Sequence, residues 1–469
     1  MLVVAQPLAP ARKPVSNKAL HRQPIIMSQT STDSPLPRIV IVGGGAGGLE
    51  LATRLGDTLG RRRQADITLI ERGRSHLWKP LLHQAAAGTL GIDDNELNYL
   101  AQSTWHQFKY RLGAMDGLDR ARREVLVAPT LDETGREIVP RRRIGYDILV
   151  IAVGSQNNDF GTPGAAEHAI ALDTPEDSRR FHRRLVNACI AANTQVEPLR
   201  PEQLKVVAIG AGATGVELVA ELHNSTRVLA AYGLDRIDPE RDVRLSLVEA
   251  APRILPALPE RLSAAAAGEL AKLGVQMHTG KRVTEVTATG VRTADGDFLP
   301  AELVVWAAGV KAPDFLRDID GLETNRINQL VVRPTLQTSR DDAIYALGDC
   351  AACVWEGHAG NVPPRAQAAH QQASLIARQI TRQLQGKPLL TFHYRDFGSL
   401  VSLGEHSTVG NLMGGLSKGS MFIEGHFARF IYWLLYRMHL HALHGFWKTA
   451  FLTLARMISR TTEPRIKLH

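Results

Sequence analysis

The sequence predicts an α/β protein with two nucleotide-binding domains, one inserted into the other, and a C-terminal region of amphipathic helices. Strand-like and helix-like segments alternate along most of the chain, which predicts parallel sheets with helices on both faces. Two apolar, β-branched runs each end in a glycine-rich turn, the local pattern that opens a Rossmann-like domain. The end of the chain carries apolar residues at helical spacing, interrupted by basic residues.

Composition limits the classes of protein that the chain can represent. Its 469 residues suffice for two or three domains, and a hydrophobic content of 44% is ordinary for a soluble α/β protein. The formal net charge of +8 suggests a polyanionic partner. We expect no nucleic acid, because the arginine runs at 61–63 and 141–143 lack interleaved aromatic residues that would stack on bases. An anionic membrane surface is the other candidate for the polyanionic partner.

The three cysteines, Cys189, Cys350 and Cys353, support no disulfide framework and indicate a reducing compartment. Cys350 and Cys353 form a C-x-x-C pair. No second ligand pair accompanies it, so we expect no metal site and interpret the pair as two packed thiols.

The first 36 residues are predicted to be a disordered leader. They are rich in Pro, Ser, Gln and Ala and contain no acidic residue before Asp33. They do not have the order of a secretory signal, because the short apolar stretch precedes the basic residues. Met27 is an alternative start of the chain.

The first glycine-rich turn follows the strand-like run 38–42 and contains Gly43, Gly45 and Gly48 in the pattern G-x-G-x-x-G. Gly43 permits the tight turn, Gly45 lets the backbone approach a pyrophosphate, and Gly48 lets the next helix pack on the strand. Glu71 ends the second strand, where its carboxylate would accept hydrogen bonds from an adenosine ribose. This order predicts a dinucleotide site.

The second turn repeats the pattern after the run 205–209, with Gly210, Gly212 and Gly215, and its acidic partner is Glu249. A carboxylate at this strand end favours free ribose hydroxyls and repels a 2′-phosphate, so we expect NADH over NADPH. Two dinucleotide sites in one chain are typical of a flavin enzyme that a nicotinamide reduces.

Two buried strand-like runs, 146–152 and 302–307, stop at Gly154 and Gly309, where the chain is expected to cross between domains. A later strand ends in Gly348-Asp349, an acid beside a helix start. The predicted organisation is a leader at 1–36, a flavin domain at 37–164 that resumes at 313–410, a nicotinamide domain at 165–312, and a membrane-association region at 411–469.

The motif order GGGAGG, Glu71, AVGS, GAGATG, Glu249, VVWAAG and YALGD resembles the two-dinucleotide-binding flavoprotein superfamily. Redox cysteines are absent from the positions that disulfide reductases of this superfamily use. The segment PPRAQAAHQQ at 363–372 instead resembles the AQxAxQQ quinone-site motif of type II NADH:quinone oxidoreductases. The likeness continues through GSLVSLGEHSTVG and the ending RIKLH, and it is closest to the bacterial respiratory branch of that family.

The resemblance implies a non-proton-pumping enzyme that passes a hydride from NADH to FAD and then reduces a membrane quinone by two electrons. It implies catalytic roles for Glu217, near the nicotinamide and flavin, and for Gln367 and Gln371, which share a helix face suited to quinone carbonyls. It assigns FAD contacts to Gly43, Gly45, Ala46, Gly47, Gly48, Glu71, Lys79, Gly154, Asp349, Ala366 and Gln367, and NADH contacts to Gly210, Gly212, Thr214, Gly215, Glu217, Glu249 and Gly309.

Two alternative functions remain compatible with parts of the sequence. A sulfide:quinone oxidoreductase-like flavoenzyme would share the fold and the membrane tail but would use cysteines at the flavin, and the intact second turn argues against it. A flavin-binding interaction protein with slow turnover would keep both dinucleotide sites.

The C-terminal region is predicted to lie on a membrane and not to cross it. Its basic residues leave no apolar stretch near the ~20 residues that a spanning helix needs. Trp433, Tyr436 and Trp447 are expected to be interfacial anchors, and the basic excess favours an anionic leaflet. We expect peripheral attachment at the cytoplasmic face of the inner membrane, and a homodimer built by the same tail is compatible with it. The two apolar stripes are Phe427, Phe430, Ile431, Leu434, Leu435 and Met438, then Leu443, Phe446, Trp447, Ala450, Phe451, Leu454, Met457 and Ile458.

Overall fold

The structure, a computed structural model, describes residues 35–403, 407–413, 420–459 and 466, and the side chains of 407, 409–413, 420–430 and 459 lie outside that description. The predicted leader therefore lies outside the described residues except for its last two positions. So do the side chains of Phe427 and Phe430, which were assigned to the first apolar stripe.

The secondary structure alternates as predicted. The helices are α1 (Ala46–Leu55), α2 (Leu82–Ala87), α3 (Tyr99–Trp105), α4 (Ala165–His168), α5 (Pro175–Thr194), α6 (Ala213–Ala231), α7 (Glu260–Lys272), α8 (Ala366–Leu384) and α9 (Gly425–Ser459). The strands are β1 (Arg38–Val42), β2 (Asp66–Glu71), β3 (Ser75–His76), β4 (Leu97–Asn98), β5 (Lys109–Leu112), β6 (Met115–Asp119), β7 (Glu124–Val127), β8 (Thr130–Leu131), β9 (Glu137–Val139), β10 (Arg142–Gly145), β11 (Ile148–Ile151), β12 (Gln156–Asn157), β13 (Ala169–Ala171), β14 (Lys205–Ile209), β15 (Arg244–Glu249), β16 (Gln276–Thr279), β17 (Val283–Thr287), β18 (Gly290–Thr293), β19 (Phe298–Pro300), β20 (Leu303–Trp306), β21 (Val310–Lys311), β22 (Leu330–Val331), β23 (Gln337–Thr338), β24 (Asp341–Ala346), β25 (Ala351–Ala352), β26 (Gly398–Leu403), β27 (Ser407–Met413) and β28 (Ser420–Glu424).

The first large sheet has the strand order β23-β24-β11-β1-β2-β5. All of its pairings are parallel except that of the edge strand β23 with β24. In β1, Ile41 lies between Val150 and Leu69 of the neighbouring strands, and all three side chains are fully buried. Continuous apolar runs of this kind suit a sheet that is covered on both faces.

The second large sheet has the order β13-β20-β14-β15-β16 and is entirely parallel. Its strands come from the stretch of chain that separates β11 from β23 and β24 of the first sheet, so the predicted α/β fold with one domain inserted in the other is confirmed. The spacing between Gly215 and Glu249 is long because α6 continues to Ala231 and a turn-rich segment precedes β15.

The long helix α9 is interrupted at Gly445, whose backbone is non-helical (φ 74°, ψ 176°). The chain reverses there, because an Nη1 of Arg456 lies 3.3 Å from the Tyr436 hydroxyl, twenty residues earlier in the sequence. We call residues 425–459 the terminal hairpin, with a proximal helix before Gly445 and a distal helix after it. No helix in the described part of the chain has the length and apolarity that crossing a membrane requires.

The proximal helix packs on the flavin half of the protein and corrects part of the sequence interpretation. Tyr436 and Leu443 were expected to face lipid, but both are buried, and the Tyr436 ring stacks on Trp78 at 5.5 Å. His439 stacks on the same indole at 5.6 Å. The expectation was wrong because an apolar stripe shows that a face is covered but does not show by what.

Candidate functional site

A single cleft of about 2380 Å³ is lined by residues of both glycine-rich turns, of α8 and of the proximal helix. Among the predicted site residues, those lining the cleft are Gly43, Gly45, Ala46, Gly47, Glu71, Lys79, Gly154, Gly212, Thr214, Glu217, Asp349, Ala366, Gln367 and Gln371. Gly48, Gly210, Gly215, Glu249 and Gly309 are not among the lining residues. Gly48, Gly210, Gly215 and Glu249 instead contact the main chain of the turns on the side away from the cleft, as described below.

The first turn has the backbone geometry that a pyrophosphate needs. Gly43 has φ +101°, and a Cβ there would overlap the main chain of Ala152. A Cβ on Gly48 would overlap the carbonyl oxygen of Gly43, so the start of α1 packs directly against the turn. A Cβ on Gly45 would meet no described atom within 4 Å, which leaves room for phosphate at the helix N-terminus.

Glu71 holds this turn from the end of β2. Its Oε2 accepts a hydrogen bond from the Gly44 amide at 2.5 Å, and its Oε1 accepts one from the Gly73 amide at 3.0 Å. A carboxylate accepts more than one hydrogen bond on each oxygen, so Glu71 retains capacity for ribose hydroxyls. The residues present therefore fit the adenosine and pyrophosphate parts of FAD.

The second turn has the same backbone features as the first. Gly210 has φ +100°, a Cβ on Gly215 would overlap the Gly210 carbonyl oxygen, and one on Gly212 would meet no described atom within 4 Å. Glu249 accepts hydrogen bonds from the Ala211 amide at 2.7 Å and the Ala251 amide at 2.8 Å. This cradle also fits a dinucleotide pyrophosphate.

Lys79 connects the two halves of the cleft. Its Nζ donates to the Ser155 carbonyl oxygen and to Asp173 Oδ1, each at 3.0 Å. The hydroxyl of Ser155 in turn donates to Asp349 Oδ2 at 2.7 Å. The assignment of Lys79 to FAD stays a prediction, and the structure adds Ser155 and Asp173, of which only Ser155 lay within a motif recognised in the sequence.

Gln367 and Gln371 lie on one face of α8, as their spacing predicts, and both amides are engaged by the chain segment before β26. The side chain of Gln367 donates to Asp396 Oδ1 and to the Gly398 carbonyl oxygen, each at 3.1 Å. Gln371 exchanges two hydrogen bonds with the main chain of Arg395, at 2.9 and 3.0 Å. These amides hold residues 395–398 against α8, so the main chain of that segment forms part of the cleft wall.

Glu217 is buried in the first turns of α6. Its Oε1 accepts a hydrogen bond from the Ser402 amide at 3.0 Å, and its Oε2 lies 3.4 Å from His83 Nδ1. Burial, with help from the nearby Glu221, raises the pKa of Glu217 to about 8, and burial lowers the pKa of His83 to about 4. Both side chains are therefore uncharged near pH 7, and the contact is not an ion pair. No sequence motif drew attention to His83.

The distal helix has its polar face turned inward. Thr449 is buried, and Thr453 and Arg456, one and two turns further along, are half-buried. The guanidinium of Arg456 donates to the Asp94 carbonyl oxygen at 2.7 Å. The exposed large apolar residues are Phe446, Trp447, Phe451, Leu452, Leu454, Met457 and Ile458, and Trp447 is 83% exposed.

The proximal helix turns another part of its stripe toward the cleft. Ile431, Leu435 and Met438, expected to face lipid, are lining residues of the cleft, although Leu435 and Met438 also remain partly exposed. An apolar wall of this kind suits an apolar ligand.

The three cysteines are buried, free and outside the set of residues that line the cleft. Burial raises the pKa of Cys350 to about 12 and those of Cys189 and Cys353 to about 11, so none forms a thiolate near neutral pH. Within the described residues, no group of three or more metal-ligating side chains is arranged to hold an ion.

Two pyrophosphate cradles on one cleft, each with its own parallel sheet, define a two-dinucleotide oxidoreductase. The family described as pyridine nucleotide-disulphide oxidoreductase matches residues 37–373. The chain is 44% identical over 446 residues to the type II NADH:quinone oxidoreductase of Haemophilus influenzae, covering 92% of this chain and 100% of that one. It is 31% identical over 386 residues to the Staphylococcus aureus enzyme of the same name, covering 80% and 90%.

Among solved structures, NDH2 from Plasmodium falciparum in complex with NADH matches with a TM-score of 0.75 at 18% identity, covering 92% of this chain and all of that one. The sulfide:quinone oxidoreductase from Aquifex aeolicus matches with a TM-score of 0.68 at 17% identity, covering 87% and 92%. These two likenesses show the fold alone. The chain belongs to the type II NADH:quinone oxidoreductase family. The predicted family, enzyme class, and pairing of FAD with NADH are confirmed.

Proposed function

We propose that this protein oxidises NADH and reduces a membrane quinone, with FAD held at the first turn and NADH admitted at the second. The observation that carries the proposal is that both pyrophosphate cradles open onto one cleft. Bound FAD supplies the chemistry of accepting a hydride from NADH and passing two electrons to a quinone. The protein binds and orients FAD and the two substrates, and it excludes water from the reacting groups.

Each wall of the cleft has a separate task in this proposal. The turn at Gly43–Gly48 and Glu71 hold the adenosine diphosphate part of FAD, and the turn at Gly210–Gly215 with Glu249 positions NADH. Residues 395–398, held by Gln367 and Gln371, offer main-chain groups to a quinone head. Ile431, Leu435 and Met438 cover the apolar part of the quinone from the proximal helix.

The reaction is tested by following the absorbance of bound flavin without oxygen. NADH is expected to bleach the oxidised flavin band within the turnover time, and a quinone is expected to restore it. NADPH at the same concentration should bleach it far more slowly, because the carboxylate of Glu249 repels a 2′-phosphate. Rapid bleaching by sulfide, with none by NADH, would support the sulfide:quinone alternative and overturn the proposal.

We further propose that the distal helix binds an anionic membrane surface. This helix buries Thr449 and exposes Phe446, Trp447 and Phe451. Lys448 lies beside this face and supplies a basic group, with its Nζ 4.9 Å from the Trp105 ring. Aromatic and basic side chains together are typical of helices that lie in a membrane interface.

Vesicle flotation tests this surface. Trp447→Asp with Phe451→Asp is expected to release the protein from vesicles of phosphatidylcholine and phosphatidylglycerol, because it places two charges in the interface. Val196→Asp, at an 86% exposed apolar residue elsewhere, is the matched control and should stay bound. Point substitutions serve better than truncation, because Ile466 is buried against the core of the nicotinamide domain.

We propose the cytoplasmic face of the inner membrane as the location, since NADH is supplied there and three buried free thiols suit a reducing compartment. A homodimer is the competing occupant of the distal helix. Light scattering that gives twice the monomer mass, lost in the Trp447→Asp and Phe451→Asp variant without any change in vesicle binding, would favour the dimer.

A further inference from the structure

His83 lies behind Glu217, outside the set of residues that line the cleft. We propose that His83 is a positioning residue that orients the Glu217 carboxyl group and stabilises its anion when that carboxyl gives up a proton during quinone reduction. The role rests on the proposed function, because it needs a reaction that consumes a proton in the cleft.

The geometry places a polar group at each carboxyl oxygen of Glu217. The Ser402 amide donates to Oε1 at 3.0 Å, and the His83 ring faces Oε2 at 3.4 Å. Glu217 lines the cleft, whereas the side chain of His83 is 2% exposed and sits in α2 between other helices. His83 can therefore act on the reaction only through Glu217.

The protonation state of His83 follows from its surroundings. The Pro80 carbonyl oxygen accepts a hydrogen bond from the ring, and Nε2 has no partner among the described residues. A carbonyl oxygen can only accept, so the ring proton is on Nδ1, the nitrogen that faces Glu217. This N–H is therefore donated to Pro80 in the resting state, and Glu217 Oε2 lies 3.4 Å from the same nitrogen, close enough to share the N–H once that oxygen carries negative charge.

The groups around Glu217 favour its protonated form, but some of them also stabilise the carboxylate. Burial and the like charge of Glu221 raise the pKa of Glu217, and the Ser402 amide opposes that rise. Tyr432, from the proximal helix, faces both glutamates, and burial raises its own pKa well above the usual value. The Tyr432 hydroxyl also lowers the pKa of Glu217, so the titratable groups that act on this carboxyl are Glu221, Tyr432 and His83.

The reaction needs a proton in the cleft, and Glu217 can supply it. Oxidation of NADH by a quinone consumes one proton besides the hydride, giving NAD⁺ and the quinol. In the proposed step the O–H bond of Glu217 breaks, an O–H bond of the quinol forms, and the carboxylate that remains accepts from Ser402 and His83 until solvent returns a proton. His83 keeps its own proton throughout.

Three substitutions separate this role from simple packing. His83→Leu removes the N–H, His83→Asn restores a donor near the Nδ1 position, and His83→Gln keeps a polar side chain with its donor displaced. His83→Leu and His83→Gln should raise the alkaline limb of the pH profile of quinone reduction by about one unit and slow the maximal rate about tenfold. His83→Asn should restore both, and flavin reduction by NADH should be unchanged in all three.

An infrared titration of the flavin-loaded protein provides a readout independent of turnover. The carboxyl C=O band that disappears in Glu217→Gln reports Glu217, and its midpoint should rise in His83→Leu and return in His83→Asn. His278→Leu, which removes an imidazole from β16 of the nicotinamide domain, away from Glu217, is the control. An unmoved midpoint in His83→Leu, or an equal shift in His278→Leu, overturns the inference while quinone reduction stands. Absence of quinone reduction in the unaltered protein overturns the proposed function and, with it, the role of His83, even where the midpoint moves.

Discussion

The two glycine-rich turns have the same backbone and different surroundings. In the first, a Cβ on Gly44 would meet the Tyr99 hydroxyl at 2.5 Å, and Gly47 is buried against Ala369 of α8. In the second, the position of Gly44 is taken by Ala211, and that of Gly47 by the exposed Thr214. One turn is enclosed by other elements of the chain and the other is open. The same motif thereby suits a resident cofactor in one place and an exchanging substrate in the other.

The comparison extends to the glutamate two residues after each third glycine. Glu50 in α1 is buried but paired, with its Oε1 2.8 Å from Arg54 and its Oε2 2.6 Å from His370 Nδ1. Glu217 in α6 has no arginine or lysine partner among the described residues and is held by the Ser402 amide. The enclosed site therefore holds a paired carboxylate, and the open site holds a carboxylic acid available for proton transfer.

The largest expected effect comes from the third glycine of each turn. Gly48→Ala and Gly215→Ala each place a Cβ on a carbonyl oxygen, so each should distort its own turn. Gly48→Ala is expected to lose nearly all FAD on gel filtration. Gly215→Ala should keep its FAD and lose NADH binding. Equal loss of FAD in both variants would show that the two turns do not have separate ligands.

The two equivalent glutamates should respond oppositely to neutralisation. Because the pKa of Glu217 is raised to about 8, the unfolded chain releases this proton near pH 4.5 and the folded chain only near pH 8. Stability is therefore lost as the pH rises through that window, and Glu217→Gln should stabilise the protein by on the order of 5 kcal/mol at pH 9 and hardly at pH 4.

Glu50→Gln should instead destabilise the protein by about 1 to 2 kcal/mol near neutral pH, because Arg54 and His370 lose their carboxylate. Thermal unfolding followed from pH 4 to pH 9 measures both variants. If the change in stability depends on pH in the same way in both variants, the two glutamates do not differ in the way proposed.

A smaller effect is expected from the acids that end β2 and β15. Glu249→Gln should raise the KM for NADH about tenfold and narrow the preference over NADPH, since the carboxylate no longer repels a 2′-phosphate. Glu71→Gln should leave that KM in place and weaken FAD retention. Steady-state kinetics with FAD in excess separates the two, and an unaltered KM in Glu249→Gln would contradict the ribose assignment.

The smallest effect tests the enclosure of the first turn. The Tyr99 hydroxyl donates to the Gly44 carbonyl oxygen at 2.7 Å. Tyr99→Phe should cost about 1 kcal/mol of stability and speed the loss of FAD, with no change in the KM for NADH. Tyr345→Phe is the matched control for removing a buried hydroxyl, because the Tyr345 hydroxyl donates to Gln383 Oε1 at 2.7 Å and lies outside the set of residues that line the cleft. An equal rate of FAD loss in the two variants would show that the bond to Gly44 is unimportant.

The sequence predicts the parts of the site that are local and misses those that depend on distant packing. Gly43, Gly48 and Glu71 follow from one strand-turn-helix unit, in which spacing fixes the geometry. Tyr99 and His83 come from other elements and belong to no motif, so only the folded chain brings them to Gly44 and Glu217.

The terminal hairpin shows the same limit. The two apolar stripes are visible in the sequence, but the break of the helix at Gly445, inside the second stripe, was not predicted. Periodicity identifies an apolar face but not its partner. Tyr436 and Leu443 therefore looked like membrane residues until Trp78 and the flavin-domain core were seen to cover them, whereas Trp447 remains exposed.

The most direct test follows the bound flavin by stopped-flow absorbance in the unaltered protein and in Gly215→Ala, first with NADH and then with a quinone. The account predicts rapid bleaching by NADH and recovery with quinone in the unaltered protein. In Gly215→Ala it predicts the same FAD content with no bleaching at NADH concentrations that saturate the unaltered protein. Bleaching at equal rates in both proteins would contradict the central claim that the second turn delivers NADH to a flavin held by the first.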